Sequence, residues 1–382
     1  MTDDKAFEVF PADPLQRVEL ALEDLRQGRM VILVDDEDRE NEGDIVIAGE
    51  KVTPELINFM ATHARGLICL SITSDQVDRL GLPMMATNNK SAYNTAFTVS
   101  IEAREGVSTG ISAADRSHTV QVAIQPDATP RVVVTPGHVF PLRARDGGVL
   151  ERVGQTEGSV DLAKLAGLNP SAVICEIMNP DGTMARMPEL EEFGRTHEIR
   201  IVAVADIIKY RMQHERIVRK VSQGDVEIPG LGSWQIRLYR SITTDGLHLS
   251  ISKGELGSEP AVVRVQGAPP AWTFLNMEAS KLAGPARAAL TRIHEEGAGA
   301  LVLMHLGGKS MDLLSRAFER DFTGRFDRAP QASADALRDL GSGCQILRDL
   351  GLEELRILTN STRAIAGIEA YGLQVVERIS LS

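Results

Sequence analysis

Apolar residues recur at Leu15, Val18, Leu22 and Leu25, the spacing of one helical face. Asp13 and Pro14 suit a cap and a first helical position, and Gly28 ends the run, so a helix is expected there. Met30–Val34 is a short, continuously apolar run and predicts a buried strand. A very polar stretch, Asp35–Asp44, separates it from a second strand at Ile45–Ala48. Thr53-Pro54-Glu55 starts a helix running to about Arg65, and Gly66–Ile72 and Phe97–Ala103 suit strands. Helices at Ser112–Ile124, Ser159–Ala166, Pro188–Thr196 and Asp206–His214 interleave with strands at Arg131–Thr135, Ala172–Met178 and Ile201–Ala205. Such alternation predicts an α/β domain, a layered sheet covered by helices.

The pattern breaks at His214–Lys220 into a basic, polar connector, which puts a domain boundary near residue 215. Val226–Leu256 then holds short alternating segments with Gly turns, so strands dominate. A long Ala-rich helix is expected at Ala279–Glu296, strands at Gly299–His305, Leu355–Leu358 and Val375–Ile379, and a helix around Gln345–Leu350. This second domain, 216–382, is a smaller α+β unit, and a length of 382 residues accommodates both.

Composition narrows the function. Hydrophobic residues at 43% and charged residues at 25% are globular values. A net charge of −12 does not suit a phosphodiester backbone, so no nucleic-acid partner is expected, although a small anion in a locally basic pocket is compatible. No apolar run approaches the roughly 20 residues of a membrane helix, and the acidic start lacks a signal-peptide pattern, so a cytoplasmic protein is expected. Three scattered cysteines, Cys69, Cys175 and Cys344, exclude a disulfide framework and any Cys-rich zinc site.

Chemistry concentrates in five blocks. Asp35-Asp36-Glu37-Asp38-Arg39-Glu40-Asn41-Glu42-Gly43-Asp44 follows directly on a strand; hard oxygen donors at a strand end suit a divalent cation such as magnesium, where a solvated loop is the plain alternative. Gly137-His138-Val139-Phe140-Pro141 offers a histidine whose ordinary pKa suits acid–base work, or simply a loop histidine. Arg152-Val153-Gly154-Gln155-Thr156-Glu157, just before a helix, is a phosphate cradle or a helix cap. Glu176, in the apolar strand around Cys175, needs a reason to be there: catalysis, or a structural ion pair. Ser108-Thr109-Gly110-Ile111-Ser112, ahead of Asp115 and Arg116, again suits an anion.

In this order the blocks DDEDRENEGD, NNKSAYNTAFTV, STGISAADR, PGHVFPLRA, GGVLERVGQTE and CEIMNPDGTMARMPEL closely resemble 3,4-dihydroxy-2-butanone 4-phosphate synthase of riboflavin biosynthesis, over residues 35–196. The resemblance implies a homodimeric lyase, dependent on magnesium or manganese, that converts D-ribulose 5-phosphate into 3,4-dihydroxy-2-butanone 4-phosphate and formate. It implies that Glu40 is a metal ligand, that Arg39 and Asp44 touch the substrate, that Arg152, Val153, Gly154, Gln155 and Thr156 hold the sugar phosphate, and that His138 and Glu176 form the acid–base pair, Glu176 also lying at the substrate. Cys69 lines the pocket or is a buried small hydrophobe.

One position departs from the family. Many members carry a metal-ligating His where this chain has Gln155, whose amide oxygen is still a legitimate ligand for a hard cation. In the second half, Gly341–Gly351, Arg356–Asn360 and Gly372–Arg378 resemble the C-terminal end of GTP cyclohydrolase II, a known fusion partner. That family uses three zinc-binding cysteines, and this chain has only Cys344 after residue 175, with His305-Leu306-Gly307-Gly308-Lys309-Ser310 in place of the nucleotide-binding block. A non-catalytic second domain without zinc is therefore expected. The competing readings are a sensing or scaffolding homologue without catalysis, and a bifunctional enzyme that also opens GTP.

Overall fold

The computed structural model describes residues 7–36, 39–91, 93, 95–242, 246–267, 284–306, 333–360, 368 and 371–381. The chain divides into two compact units, Met1–Tyr210 and Arg211–Ser382. The first runs α1 (Pro14–Arg26), β1 (Val31–Val34), β2 (Gly43–Ala48), α2 (Pro54–Phe59), β3 (Cys69–Ile72), α3 (Ser74–Arg79), β4 (Ile101–Ala103), α4 (Ala113–Ala123), β5 (Val133–Arg143), α5 (Gln155–Leu165), β6 (Ser171–Glu176), α6 (Met187–His197), β7 (Arg200–Ala203) and α7 (Val204–His214).

Its seven strands form one mixed sheet in the order β4-β5-β3-β6-β2-β1-β7. β1/β7 and β3/β5 are parallel, and the other neighbours are antiparallel. The central strands β1, β2 and β3 are buried throughout, which is why they read as apolar runs rather than as alternating strands. Antiparallel register sets Leu33 beside Asp44 and Asp44 beside Glu176, so the two acids lie on one face. α5 covers that face, and Gly158 lets it approach closely: a Cβ there would stand 2.8 Å from Leu33 Cδ2.

Several expected elements shift. The strand expected at Arg131–Thr135 is the start of the longer β5, which runs on to Arg143 and takes in His138. α5 begins at Gln155, not at Ser159, because Gly154 in extended backbone serves as its cap. The helix expected to Arg65 loosens into a π-turn at Met60–Ala64 and stops where Arg65 turns left-handed. α3 has no counterpart among the expected elements.

In the second unit β8 (Val218–Ile228), β9 (Gly232–Ser241), β10 (Leu247–Lys253), β11 (Ala261–Gly267), β12 (Gly299–Leu306), β13 (Glu354–Leu358) and β14 (Gln374–Ile379) form a second sheet, ordered β14-β13-β11-β12-β10-β9-β8. α8 (Gly284–Glu296) and α9 (Ser333–Asp349) accompany it. Its core gathers Trp234, Val262, Ile293, Leu301 and Leu358. β8 begins at Val218, inside the expected connector, and β11 adds an unexpected strand. Residues 279–283 of the expected Ala-rich helix lie outside the described residues. Ile346, Leu347, Leu350, Leu355 and Leu358 are buried, and Ile357 is half-buried.

One buried ion pair ties the first helix to the segment just after the last strand of the first unit. Arg17 donates from Nε and Nη2 to both oxygens of Asp206, each at 2.7 Å, and Asp206 also accepts from Ala203 N. The pair's side chains are 11% and 6% exposed, so removing one partner strands the other's charge. Asp206→Ala is expected to destabilise the first unit by about 3–5 kcal/mol. Urea denaturation, with hydrogen exchange followed in α1 and β7, measures it; a loss under about 1 kcal/mol contradicts it.

Candidate active site

The loop between β1 and β2 is organised by Asp35. Its carboxylate accepts from Glu40 N at 3.1 Å, Glu42 N at 2.9 Å and Arg39 Nη1 at 2.6 Å. Asn41 completes the turn at φ 55, a left-handed conformation that Asn tolerates. Arg186, entering from the start of α6, donates to the backbone oxygens of Glu40, at 2.7 Å, and Asn41. Of the acidic block, Glu37 and Asp38 lie outside the described residues.

Arg39 links this loop to the start of α5. Besides Asp35, its guanidinium reaches Glu40 Oε1 at 2.7 Å and Gln155 Oε1 at 3.1 Å, and it lies 5.0 Å from the ring centre of Tyr93. The Tyr93 hydroxyl donates to Arg39 O, and Tyr93 O accepts from Arg152 Nη2 at 3.0 Å. Arg152 Nη1 bonds Glu157 at 2.6 Å, and Glu157 also accepts from Arg145 N. Arg152 is thus aimed by a buried carboxylate across the first turn of α5. That helix has no side-chain cap, and its first residues, Gln155, Thr156 and Glu157, are buried. Free amides, the helix dipole and an oriented arginine make an anion site.

The carboxylates are crowded. Asp44 is buried, and burial first, then the charges of Glu176, Glu40, Glu42 and Asp35, push its pKa well above 3.8. Burial also raises Glu40, where Arg39 works against the shift, and Glu42, where Glu40 adds to it. Glu176, at the end of β6, accepts from Leu67 N at 2.7 Å; Gly66 allows this, since a Cβ there would come within 2.4 Å of Glu176 O. Cys69 is buried beside these acids, and burial first, then the charges of Glu176 and Asp44, push its thiol up.

Among the described residues, His138 is not hydrogen-bonded into this cluster. Its ring bonds Glu102, with Nδ1 to Oε2 at 2.7 Å, and it makes no hydrogen bond to Glu40, Asp44 or Glu176. The Ser108–Ser112 loop turns back on Asp115, which accepts from Ser108 N and Oγ and from Gly110 N; these bonds, that of Ser108 Oγ first, lower its carboxyl to about 2.

The structure brings Arg39, Glu40, Asp44, Arg152, Gln155, Thr156 and Glu176 to one face of the first sheet, and Val153 and Gly154 shape the turn into α5. Asp35, Tyr93, Glu157 and Arg186 share the work without having been singled out. Asp35 and Glu157 stand inside blocks that the sequence marked, without a role of their own; Tyr93 and Arg186 act through contacts distant in the chain.

The donor chemistry suits a hard divalent cation, because carboxylates that raise each other's pKa are stabilised by added positive charge. Among the described residues, however, no three acidic, His or Cys side chains stand gathered as a ligand set. Arg39 instead bridges Glu40 and Gln155, and the buried Gln155 Nε2 has no hydrogen-bond partner.

Fold and site define an α/β enzyme with a carboxylate-rich face beside an anion-binding helix start. The sequence profile of 3,4-dihydroxy-2-butanone 4-phosphate synthase matches residues 19–210, and that of GTP cyclohydrolase II matches residues 219–380. The chain is 45% identical over 366 residues to a 3,4-dihydroxy-2-butanone 4-phosphate synthase of Pseudomonas aeruginosa, covering 95% of this chain and 98% of the relative. It is 46% identical over 374 residues to riboflavin biosynthesis protein RibBA of Aquifex aeolicus, covering 95% and 92%. The crystal structure of RibBX, a two-domain 3,4-dihydroxy-2-butanone 4-phosphate synthase from A. baumannii, superposes with a TM-score of 0.77 at 39% identity, covering 95% of this chain and 99% of that one. The chain belongs to the 3,4-dihydroxy-2-butanone 4-phosphate synthase family and is a carbon–carbon lyase of riboflavin biosynthesis.

The raised Asp44 has a thermodynamic consequence. A carboxyl whose folded pKa lies above its unfolded value binds protons more readily in the native state, so its stabilising effect is fully present at low pH and is lost as pH rises from 3.8 through the raised value. Asp44→Asn is therefore expected to gain melting temperature over the parent at pH 8 and little at pH 3.5. An advantage that shrinks with rising pH contradicts the crowding.

Proposed function

We propose that the first unit converts D-ribulose 5-phosphate into 3,4-dihydroxy-2-butanone 4-phosphate and formate, working as a homodimer in the cytoplasm. The observation that carries this is the buried Asp44 set opposite Glu176 beside Arg39 and the uncapped start of α5: proton-transfer groups at one end, an anion cradle at the other. Arg152 and the amides of Gln155 and Thr156, with Val153 and Gly154 shaping the turn, hold the phosphate, which undergoes no bond change, so its binding holds a flexible sugar chain in register. Arg39 and Asp44 contact the sugar. Glu176 and His138 take and return the protons next to the carbonyl.

Glu40 and the Gln155 amide oxygen would hold magnesium or manganese once Arg39 turns from them toward the substrate. When bound, such a cation supplies positive charge beside the substrate's carbonyl oxygen.

The second unit is read as non-catalytic and without zinc. After residue 215 the chain has one cysteine, Cys344, buried in α9, and three histidines, His248, His294 and His305. A catalytic zinc takes about three protein ligands. The cleft of about 300 Å³ in this unit is lined by Trp234, Arg237 and Lys253, but its cations are engaged internally: Lys253 bonds Leu231 O, and Arg237 bonds Gln235 and Asp349 O. The match to GTP cyclohydrolase II over residues 219–380 favours the second reading, a bifunctional enzyme.

Formate release from ribulose 5-phosphate with magnesium is expected; none with either metal refutes the lyase reading for this chain. His138→Ala and Glu176→Ala should each lower turnover by about 10²- to 10⁴-fold. Glu40→Ala should abolish activity, and Gln155→His should keep or raise it while moving preference toward manganese, because imidazole suits softer ions. For the second unit, metal analysis should find no zinc and GTP should yield no formate; stoichiometric zinc with formate from GTP establishes the bifunctional reading instead.

A further inference from the structure

His138 does not sit in regular strand. β4 and β5 pair antiparallel, with Ile101 opposite Val139 and Glu102 opposite Val134, so Thr135–His138 have no counterparts on β4. The bulge is tightly held. Gly137 N donates to Ser100 Oγ at 3.1 Å, and a Cβ on Gly137 would fall 2.0 Å from the Ile101 carbonyl carbon. Bulges of this kind re-aim a side chain next to an active site. Here the bulge turns His138 onto Glu102.

Glu102 is an unusual structural carboxylate. Its side chain is 11% exposed, against 44% for His138. One oxygen bonds the imidazole; the other, Oε1, is buried and has no hydrogen-bond partner. Buried acids kept only for structure ordinarily satisfy both oxygens, because an orphaned acceptor is costly. Gly110 closes the site from the other side: at φ +89, it lies so close that a Cβ would stand 2.0 Å from Oε1. The same Gly110 is fixed through its amide to Asp115. Two loops therefore converge to hold a carboxylate whose one hydrogen bond, among the described residues, goes to His138.

We propose that Glu102 is the positioning residue of His138, fixing the neutral imidazole with its proton on Nδ1 and its Nε2 lone pair turned outward; this rests on His138 being an acid–base group of the lyase. A carboxylate only accepts hydrogen bonds, so the Nδ1 facing Oε2 carries the proton. Nε2 is then the basic nitrogen. Glu102 also supports the positive charge when His138 takes a proton, and neither role requires it to touch the substrate.

The test uses the full chain. With ¹⁵N-histidine labelling at slightly alkaline pH, the His138 signals, identified by their loss in His138→Ala, should show Nδ1 protonated. In Glu102→Leu they should move to the Nε2-protonated form that an unrestrained histidine side chain prefers. Turnover should fall about 10- to 100-fold in Glu102→Leu with KM changed by less than about threefold, and Glu102→Gln, whose amide oxygen can still accept from Nδ1, should recover part of it. Glu102→Leu should cost nothing further in the His138→Ala background. An Nε2-protonated His138 in the parent protein, or losses that add in the double variant, overturns the proposal. The tautomer is read without turnover, so it decides the role of Glu102 even if the parent releases no formate, an outcome that would instead refute the lyase reading. Should Glu102→Leu fail to fold, the parent spectrum and Glu102→Gln still decide.

Discussion

Negative charge packed against itself is the constraint on which the first unit depends. Strand register sets Asp44 against Glu176, and the loop above adds Glu40, Glu42 and Asp35. Burying acids together costs free energy unless a cation or protons compensate. In this structure Arg39 compensates, bonded at once to Asp35, Glu40 and Gln155. Slipping the register by one residue would move Asp44 to the opposite face of the sheet, so the same β-pairing that builds the core also enforces the crowding.

The remaining parts hold that charge in place. Asp35 ties down the loop backbone, Arg186 grips it from α6, and Glu157 aims Arg152 over the start of α5. Gly66 and Gly158 admit the close approaches that bring strand ends and helix start to one small face. Asp35 and Glu157 act through contacts that would be costly to leave unmade, since both carboxylates are buried. The arrangement is poised: a site that stores repulsion when empty gains most when a cation and an anionic substrate arrive.

The second unit separates what a fold requires from what metal chemistry requires. Its sheet and its core around Trp234, Ile293 and Leu301 need only apolar residues of suitable size, which many sequences provide. Metal chemistry needs named ligands at named positions, and after residue 215 the sequence supplies a single cysteine.

The sequence by itself determined the strand–helix alternation, the strand–loop–strand position of the acidic block and the family, because hydrophobic periodicity and ordered motifs are local properties of the chain. It marked Arg39, Glu40, Asp44, Arg152 and Glu176, residues whose types alone suggest chemistry. It placed the start of α5 too late and ended a strand at Thr135, short of His138, since Gly154 as a cap and a bulge pinned against Ile101 depend on packing rather than on propensity. Only the tertiary structure decided that Asp44 faces Glu176, that Arg39 bridges the two expected metal ligands, and that Glu102, thirty-six residues from His138, is its hydrogen-bond partner. Those are contacts between segments far apart in the chain. No local pattern encodes them, because strand pairing and buried charge are settled only when the sheet closes.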